Sequence, residues 1–249
     1  MSSQWLFIAN GPHRTSLMQS VQGEGKVRWL DAPPTAENLA SGELVVDFLP
    51  EDEHKREALM AMARCAEWDG MVASMIEKNS AAYWAFESGL GGRLVGFSMP
   101  PGAGKTFAVE LFRGEVTSPK AVDLVSRVFK ALNWHVTVCR DQTGGILFRV
   151  LAGMINEAAF TVQSGIATVD QIDRMMRLAA NFPMGPFAWA DQIGLDRVLS
   201  LLEVLKDEVG SIYHPCPMIR RKVESGQLGQ KTGQGFYVYS QNEVHNETN

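Results

Sequence analysis

The sequence has few cysteines, no long apolar stretch and no excess of basic charge, and each shortage closes off a class of protein. Its three cysteines, Cys65, Cys139 and Cys216, are odd in number, far apart and in no Cys-x-x-Cys pair. That usage argues against a disulfide framework or a zinc site, and for free thiols in a reducing compartment, the cytoplasm. No apolar run approaches the roughly 20 residues that a membrane-spanning helix needs. The opening Met1-Ser-Ser-Gln-Trp5 lacks the basic and apolar segments of a secretion signal. With 23 Lys and Arg against 28 Asp and Glu, the net charge is −5 and no basic cluster stands out, so a nucleic-acid partner is not indicated. No internal repeat is found, and residues 242–249 form a polar tail expected to fray.

What is present is a chain of 249 residues, 45% hydrophobic, long enough to bury one large core or two modest ones. Residues 5–9, 27–30, 44–48, 71–74, 94–98 and 136–140 read as short strands. Apolar residues at helical spacing over 54–65 and 121–132 lie between them, so the first half predicts a parallel α/β sheet. From Gly144 the strand pattern stops. Residues 146–163, 169–178, 187–209 and 218–225 are helical in period, punctuated by Ser164-Gly165 and by the turn at Pro183 and Pro186. The expected fold is α/β then all-α, with the boundary within 141–145 and domains of 1–142 and 143–249.

A dinucleotide fold needs a strand, a glycine-rich turn, a helix N-terminus for the pyrophosphate and an acid about 20 residues on for the ribose. The first strand runs into Ala9-Asn10-Gly11-Pro12-His13-Arg14. Gly11 is the single glycine that aligns with that motif, and Arg14 stands where a glycine would let helix and strand pack closely. Asp31, 20 residues after Gly11, is placed to accept from ribose hydroxyls and to repel the 2′-phosphate of NADP, favouring NAD. An Asp closing a strand also serves as an ordinary turn residue. A second loop, Met99-Pro-Pro-Gly-Ala-Gly-Lys-Thr106, resembles the phosphate loop of NTPases, but that pattern requires glycine where Met99 stands. Lys105 there reads either as charge near an anionic ligand or as a solvated loop lysine.

The most specific motifs are in the second half. Asn181-Phe-Pro-Met-Gly-Pro-Phe-Ala-Trp-Ala-Asp-Gln-Ile-Gly-Leu-Asp196, Lys231-Thr-Gly-Gln-Gly-Phe-Tyr237 and Asn156-Glu-Ala-Ala159 together resemble the C-terminal domain of the 3-hydroxyacyl-CoA dehydrogenase family. The resemblance implies a shortened Rossmann-like domain, then a helical domain of the 6-phosphogluconate and 3-hydroxyacyl-CoA dehydrogenase type that forms a homodimer. It also implies NAD as cofactor, an acyl-CoA-type ligand, and oxidation of 3-hydroxyacyl-CoA to 3-oxoacyl-CoA in fatty-acid metabolism.

Carried over residue by residue, the resemblance puts Glu51 and Arg56 near the nicotinamide. The charged run from Glu51 to Arg56 reads equally as the solvated start of a helix. The segment from Arg93 to Gly114 aligns without gaps on the strand, loop and strand that carry the family's catalytic His and its partner Glu. Ser98 occupies the His position and Glu110 the Glu position. His suits proton acceptance from a hydroxyl because it titrates near neutrality, whereas a serine hydroxyl does not act as a base unaided. Glu110 also reads as a carboxylate on a solvent-facing strand edge. Phe148 stands where the family has Asn, and Met75-Ile-Glu-Lys78 replaces its Asn-Thr-Ser-Ser run. Only 12 positions separate Asp31 from Glu43, so a helical pair and a strand of the acyl-CoA cleft are expected to be missing. Two expectations follow: a divergent dehydrogenase whose reaction is weak or lost, or a non-catalytic dimer that binds acyl-CoA or a partner.

Overall fold

The computed structural model describes residues 4–9, 21, 27–30, 33–40, 42–99 and 108–239. The chain divides into two compact units, Met1–Gly145 and Ile146–Asn249. In the first, seven strands form one sheet: β1 (Gln4–Ile8), β2 (Val27–Leu30), β3 (Gly42–Asp47), β4 (Met71–Met75), β5 (Leu94–Ser98), β6 (Ala108–Arg113) and β7 (His135–Arg140). Their order is β2-β1-β3-β4-β5-β6-β7. All neighbours are parallel except β5 and β6, which are antiparallel. The parallel sheet expected from the sequence is found at every pairing but this one. Only nine positions, 99–107, separate the two strands, and a parallel crossover takes a dozen or more residues.

The described helices of this unit are α1 (Ala36–Ala40), α2 (Glu53–Arg64), α3 (Ala81–Ser88) and α4 (Pro119–Ala131). Helix α1 is the one regular element described between Asp31 and Glu43. Alternation along each strand divides the apolar residues between the sheet's two faces. Trp5, Phe7, Leu44 and Val46 pack with Val125 and Phe129 of α4. Leu6, Ile8, Val45 and Val72 pack with Leu59 and Met62 of α2 and Trp84 of α3. Burial on both faces explains why these strands read as continuous apolar runs. Phe129 lies 5.3 Å from Phe97 and 4.9 Å from Trp134 between ring centroids, contacts worth about 0.5–1.5 kcal/mol each beyond area burial. Asp52 caps α2 by accepting from His54 N and Lys55 N, and Ser118 caps α4 ahead of Pro119.

The second unit holds α5 (Leu147–Gln163), α6 (Val169–Ala179), α7 (Pro186–Ile193), α8 (Leu195–Val209) and α9 (Pro217–Glu224). Residues 187–209, expected as one helix, are broken at Gly194, whose φ of 100° no helix accommodates. Thr168 and Gln171 form a reciprocal capping box at the start of α6. The core gathers Leu151 and Ile155 of α5, Phe187 of α7, Leu202 of α8 and Ile219 of α9. Among the described residues no helix is long and apolar enough to cross a membrane.

Candidate active site

Because β1, β3, β4 and β5 run parallel, their C-terminal ends share one edge of the sheet, and the antiparallel β6 begins there. The order β2-β1-β3 makes the boundary of β1 and β3 the point where the winding reverses, the usual crevice for a ligand in such sheets. Gly11 and Asp31, the sequence-predicted residues for that crevice, lie outside the described residues, as do Asn10, Arg14 and Lys105.

Ser98 ends β5 at this edge, and the register sets Glu110 of β6 directly opposite. The Ser98 hydroxyl donates to Glu110 Oε2 at 3.4 Å. Ser98 is 4% exposed and Glu110 8%, so Glu110 is not the solvent-facing carboxylate that was the alternative reading. On β7, burial first, then the charges of Glu110 and Asp141, push the Cys139 thiol up to about 11. Of the remaining histidines within the described residues, His54, His135 and His214 are all exposed.

Glu51 and Arg56 are each held by other partners. The Glu51 carboxylate accepts from the backbone N–H groups of Glu77, Lys78 at 2.8 Å and Asn79 at 3.0 Å. It also accepts from Asn79 Nδ2 at 2.7 Å and Trp84 Nε1 at 3.4 Å. It therefore ties the loop after β3 to the loop after β4. Arg56 donates to the Tyr83 hydroxyl at 3.2 Å and pairs with Glu53 and Glu87 at 3.6 and 3.5 Å, bridging α2 and α3. The Tyr83 bond, with Glu53, raises its pKa above the usual guanidinium value.

The sequence reading missed a polar cluster at the same edge. Lys55, fully buried in the first turn of α2, donates to Asp47 Oδ2 at 2.6 Å, Ser74 Oγ at 2.9 Å and the Met75 carbonyl at 2.8 Å. Ser74 donates to the same Asp47 oxygen at 2.8 Å, and Leu49 N donates to the other. All three ammonium protons thus have acceptors, as a buried cation requires. The signal was available: Lys55, Ala58, Leu59 and Met62 fall on one helical face, and all four are buried.

In the helical unit, Phe148 is a core residue with the Arg197 guanidinium 5.5 Å from its ring centroid. Asn156 donates to the His214 carbonyl at 2.9 Å and accepts from Cys216 N at 2.8 Å, fixing the segment before α9. Two buried acids hold the Lys231–Tyr237 motif and the start of α7. Asp173 accepts from Phe187 N and Ala188 N, both at 2.9 Å, and from the Tyr237 hydroxyl at 3.0 Å. Asp191 accepts from Phe236 N, Tyr237 N and the Tyr239 hydroxyl at 2.8, 2.9 and 3.0 Å. Burial outweighs these donors and raises the Asp191 pKa above the ordinary carboxylate value. Among the described residues, no three His, Cys, Asp or Glu gather as a metal ion would require.

A family profile for the 3-hydroxyacyl-CoA dehydrogenase C-terminal domain matches residues 144–239. The probable 3-hydroxybutyryl-CoA dehydrogenase of Deinococcus radiodurans is 32% identical over 86% of this chain and 81% of its own length. The 3-hydroxybutyryl-CoA dehydrogenase of Bradyrhizobium diazoefficiens is 34% identical over 88% of this chain and 76% of its own. In fold, the crystal structure of (S)-3-hydroxybutyryl-CoA dehydrogenase from Ralstonia eutropha superposes with a TM-score of 0.83, at 24% identity, over 96% of this chain and all of that one.

Proposed function

The chain belongs to the 3-hydroxyacyl-CoA dehydrogenase family, and from that premise we propose that it interconverts a 3-hydroxyacyl-CoA and its 3-oxoacyl-CoA with NAD, more slowly than a His-bearing member. The observation that carries this reading is the buried pairing of Ser98 with Glu110 at the ligand edge of the sheet. It keeps a carboxylate beside the position where the family's base is expected. A purely architectural sheet gains little from a carboxylate buried there.

NAD is supported by the reversal of strand order at β1 and β3 and, in the sequence, by Gly11 with Asp31 20 residues after it. When bound, the nicotinamide supplies the hydride acceptor. The residues' own part is to shape the cleft and manage the proton. Glu51 braces the loop that carries Glu77 and Lys78 along the cleft, and Arg56 holds α3 against α2, so both act on the cofactor wall through the backbone. We assign the N-terminal unit to cofactor and the helical unit to substrate and dimerisation, in the cytoplasm. The exposed Ile166, Met175 and Leu178 support a homodimer surface on that unit, as does the open depression of about 640 Å³ beside Ile166, Phe236 and Tyr237.

Calorimetric titration with NAD, NADH and acetoacetyl-CoA tests this, followed by NADH consumption with acetoacetyl-CoA. Micromolar nucleotide binding and measurable turnover are expected. No heat from any of the three, with a stable dimer by light scattering, would replace the reading with a non-catalytic, partner-binding one.

A further inference from the structure

We propose that Ser98 and Glu110 form a proton relay, in which the serine hydroxyl passes the substrate's proton to the buried carboxylate. The inference rests on the dehydrogenase reading above. Serine at this position removes a group that could hold the proton, because an alkoxide or a protonated hydroxyl is far too costly near neutrality. A hydroxyl can nevertheless accept one proton while donating another, and a carboxylate is a competent final acceptor.

The geometry supplies that acceptor. Ser98 and Glu110 are cross-strand partners, and the Ser98 hydroxyl lies 3.4 Å from Glu110 Oε2, facing the carboxylate. Gly145 leaves the space in which the carboxylate sits; a Cβ there would overlap Glu110 Oε2. In the oxidation, the substrate O–H breaks and its proton goes to Ser98 Oγ as the Ser98 proton moves to Glu110 Oε2. With NAD bound, its nicotinamide would accept the C3 hydrogen as hydride while the C3–O bond becomes a carbonyl. Ser98 ends as a neutral hydroxyl and Glu110 as a neutral acid, which then loses its proton to water. Reduction of the 3-oxoacyl group runs these transfers backwards.

The experiment compares wild type, Ser98→Ala, Ser98→Thr, Glu110→Gln and the Ser98→Ala/Glu110→Gln double variant. Turnover of acetoacetyl-CoA with NADH, its pH profile and calorimetric NADH affinity are read for each.

Ser98→Ala and Glu110→Gln should each lose about 100-fold in turnover with NADH affinity unchanged, and the double variant should lose little more, because both serve one path. Ser98→Thr, which restores the hydroxyl, should recover most of the loss. Wild-type turnover in Ser98→Ala or in Glu110→Gln overturns the relay alone. A wild type that binds neither NADH nor acetoacetyl-CoA overturns the dehydrogenase reading and the relay with it.

Discussion

Replacing Lys55 with Met should cost the sheet unit several kcal/mol although no apolar contact is lost. The variant keeps the length of the side chain but leaves the Asp47 carboxylate fully buried with only Ser74 Oγ and Leu49 N as donors, and the Met75 carbonyl without its ammonium. Breaking one side of a buried ion pair typically costs about 3–5 kcal/mol, a large share of the roughly 5–15 kcal/mol that holds a domain together. At about 2–4 °C per kcal/mol for a unit of this size, the melting point should fall by roughly 10 °C. Trp5, Trp68, Trp84 and Trp134 are all buried in this unit, so tryptophan fluorescence in urea and on heating follows its unfolding. The companion variant Asp47→Asn/Lys55→Met removes the orphaned charge and should regain at least half of the loss. A Lys55→Met cost below about 1 kcal/mol, or strictly additive effects in the double variant, would show that the cluster is not the mutually dependent network described.

Three further outcomes are expected. Cys139, pushed up to about 11, is about one part in a thousand thiolate at pH 8, so its alkylation, followed by peptide mass, should rise about tenfold per pH unit to near that value; a plateau near pH 9 would contradict its placement. Glu51→Ala should speed hydrogen exchange at the amides of Glu77, Lys78 and Asn79 at least tenfold, since each donates to that carboxylate; unchanged protection would mean another acceptor holds the loop. Asp191→Ala strands Phe236 N, Tyr237 N and the Tyr239 hydroxyl, at about 1–3 kcal/mol for each buried orphan, and urea unfolding of the helical unit should show a loss of at least about 3 kcal/mol. The sign with pH follows from the raised Asp191 pKa: its protonation-linked stabilisation is complete below the ordinary carboxylate value and is lost as pH rises through the folded one. Asp191→Asn should flatten that slope.

The parts of the fold legible in the sequence were those where one residue pattern meets one environment. Residues 5–9 are apolar throughout and 44–48 apolar but for Asp47 because both faces of their strands are covered, and 121–132 repeats at helical spacing because α4 buries one face. Helix α3 went unread because Tyr83, Trp84 and Phe86 crowd a stretch of eight residues with no clear periodicity. Strand β6 was reached only through the family resemblance, and its direction only through the structure, although the short connection from β5 already required a reversal. For the site, the Ser98 and Glu110 positions followed from an ungapped motif. Lys55 did not, because a run of charges reads as solvent-facing unless its helical face is counted. The Asp173 and Asp191 cradles depend on residues 45 to 64 positions apart, a distance over which composition carries no signal.

The same long reach sets a timetable for the newly made chain. The sheet unit is complete once Gly145 has emerged, but the helical unit cannot close its buried acids until Tyr237 and Tyr239 are available. At about 5–20 residues per second, the nascent chain therefore spends roughly 3–13 s between the synthesis of Asp173 and that of Tyr239 with the last donors to Asp173 and Asp191 still absent. In that interval a chaperone has surface to hold, and a ribosome that stalls between residues 200 and 235 would leave the helical half open to proteolysis while the sheet unit is already sound.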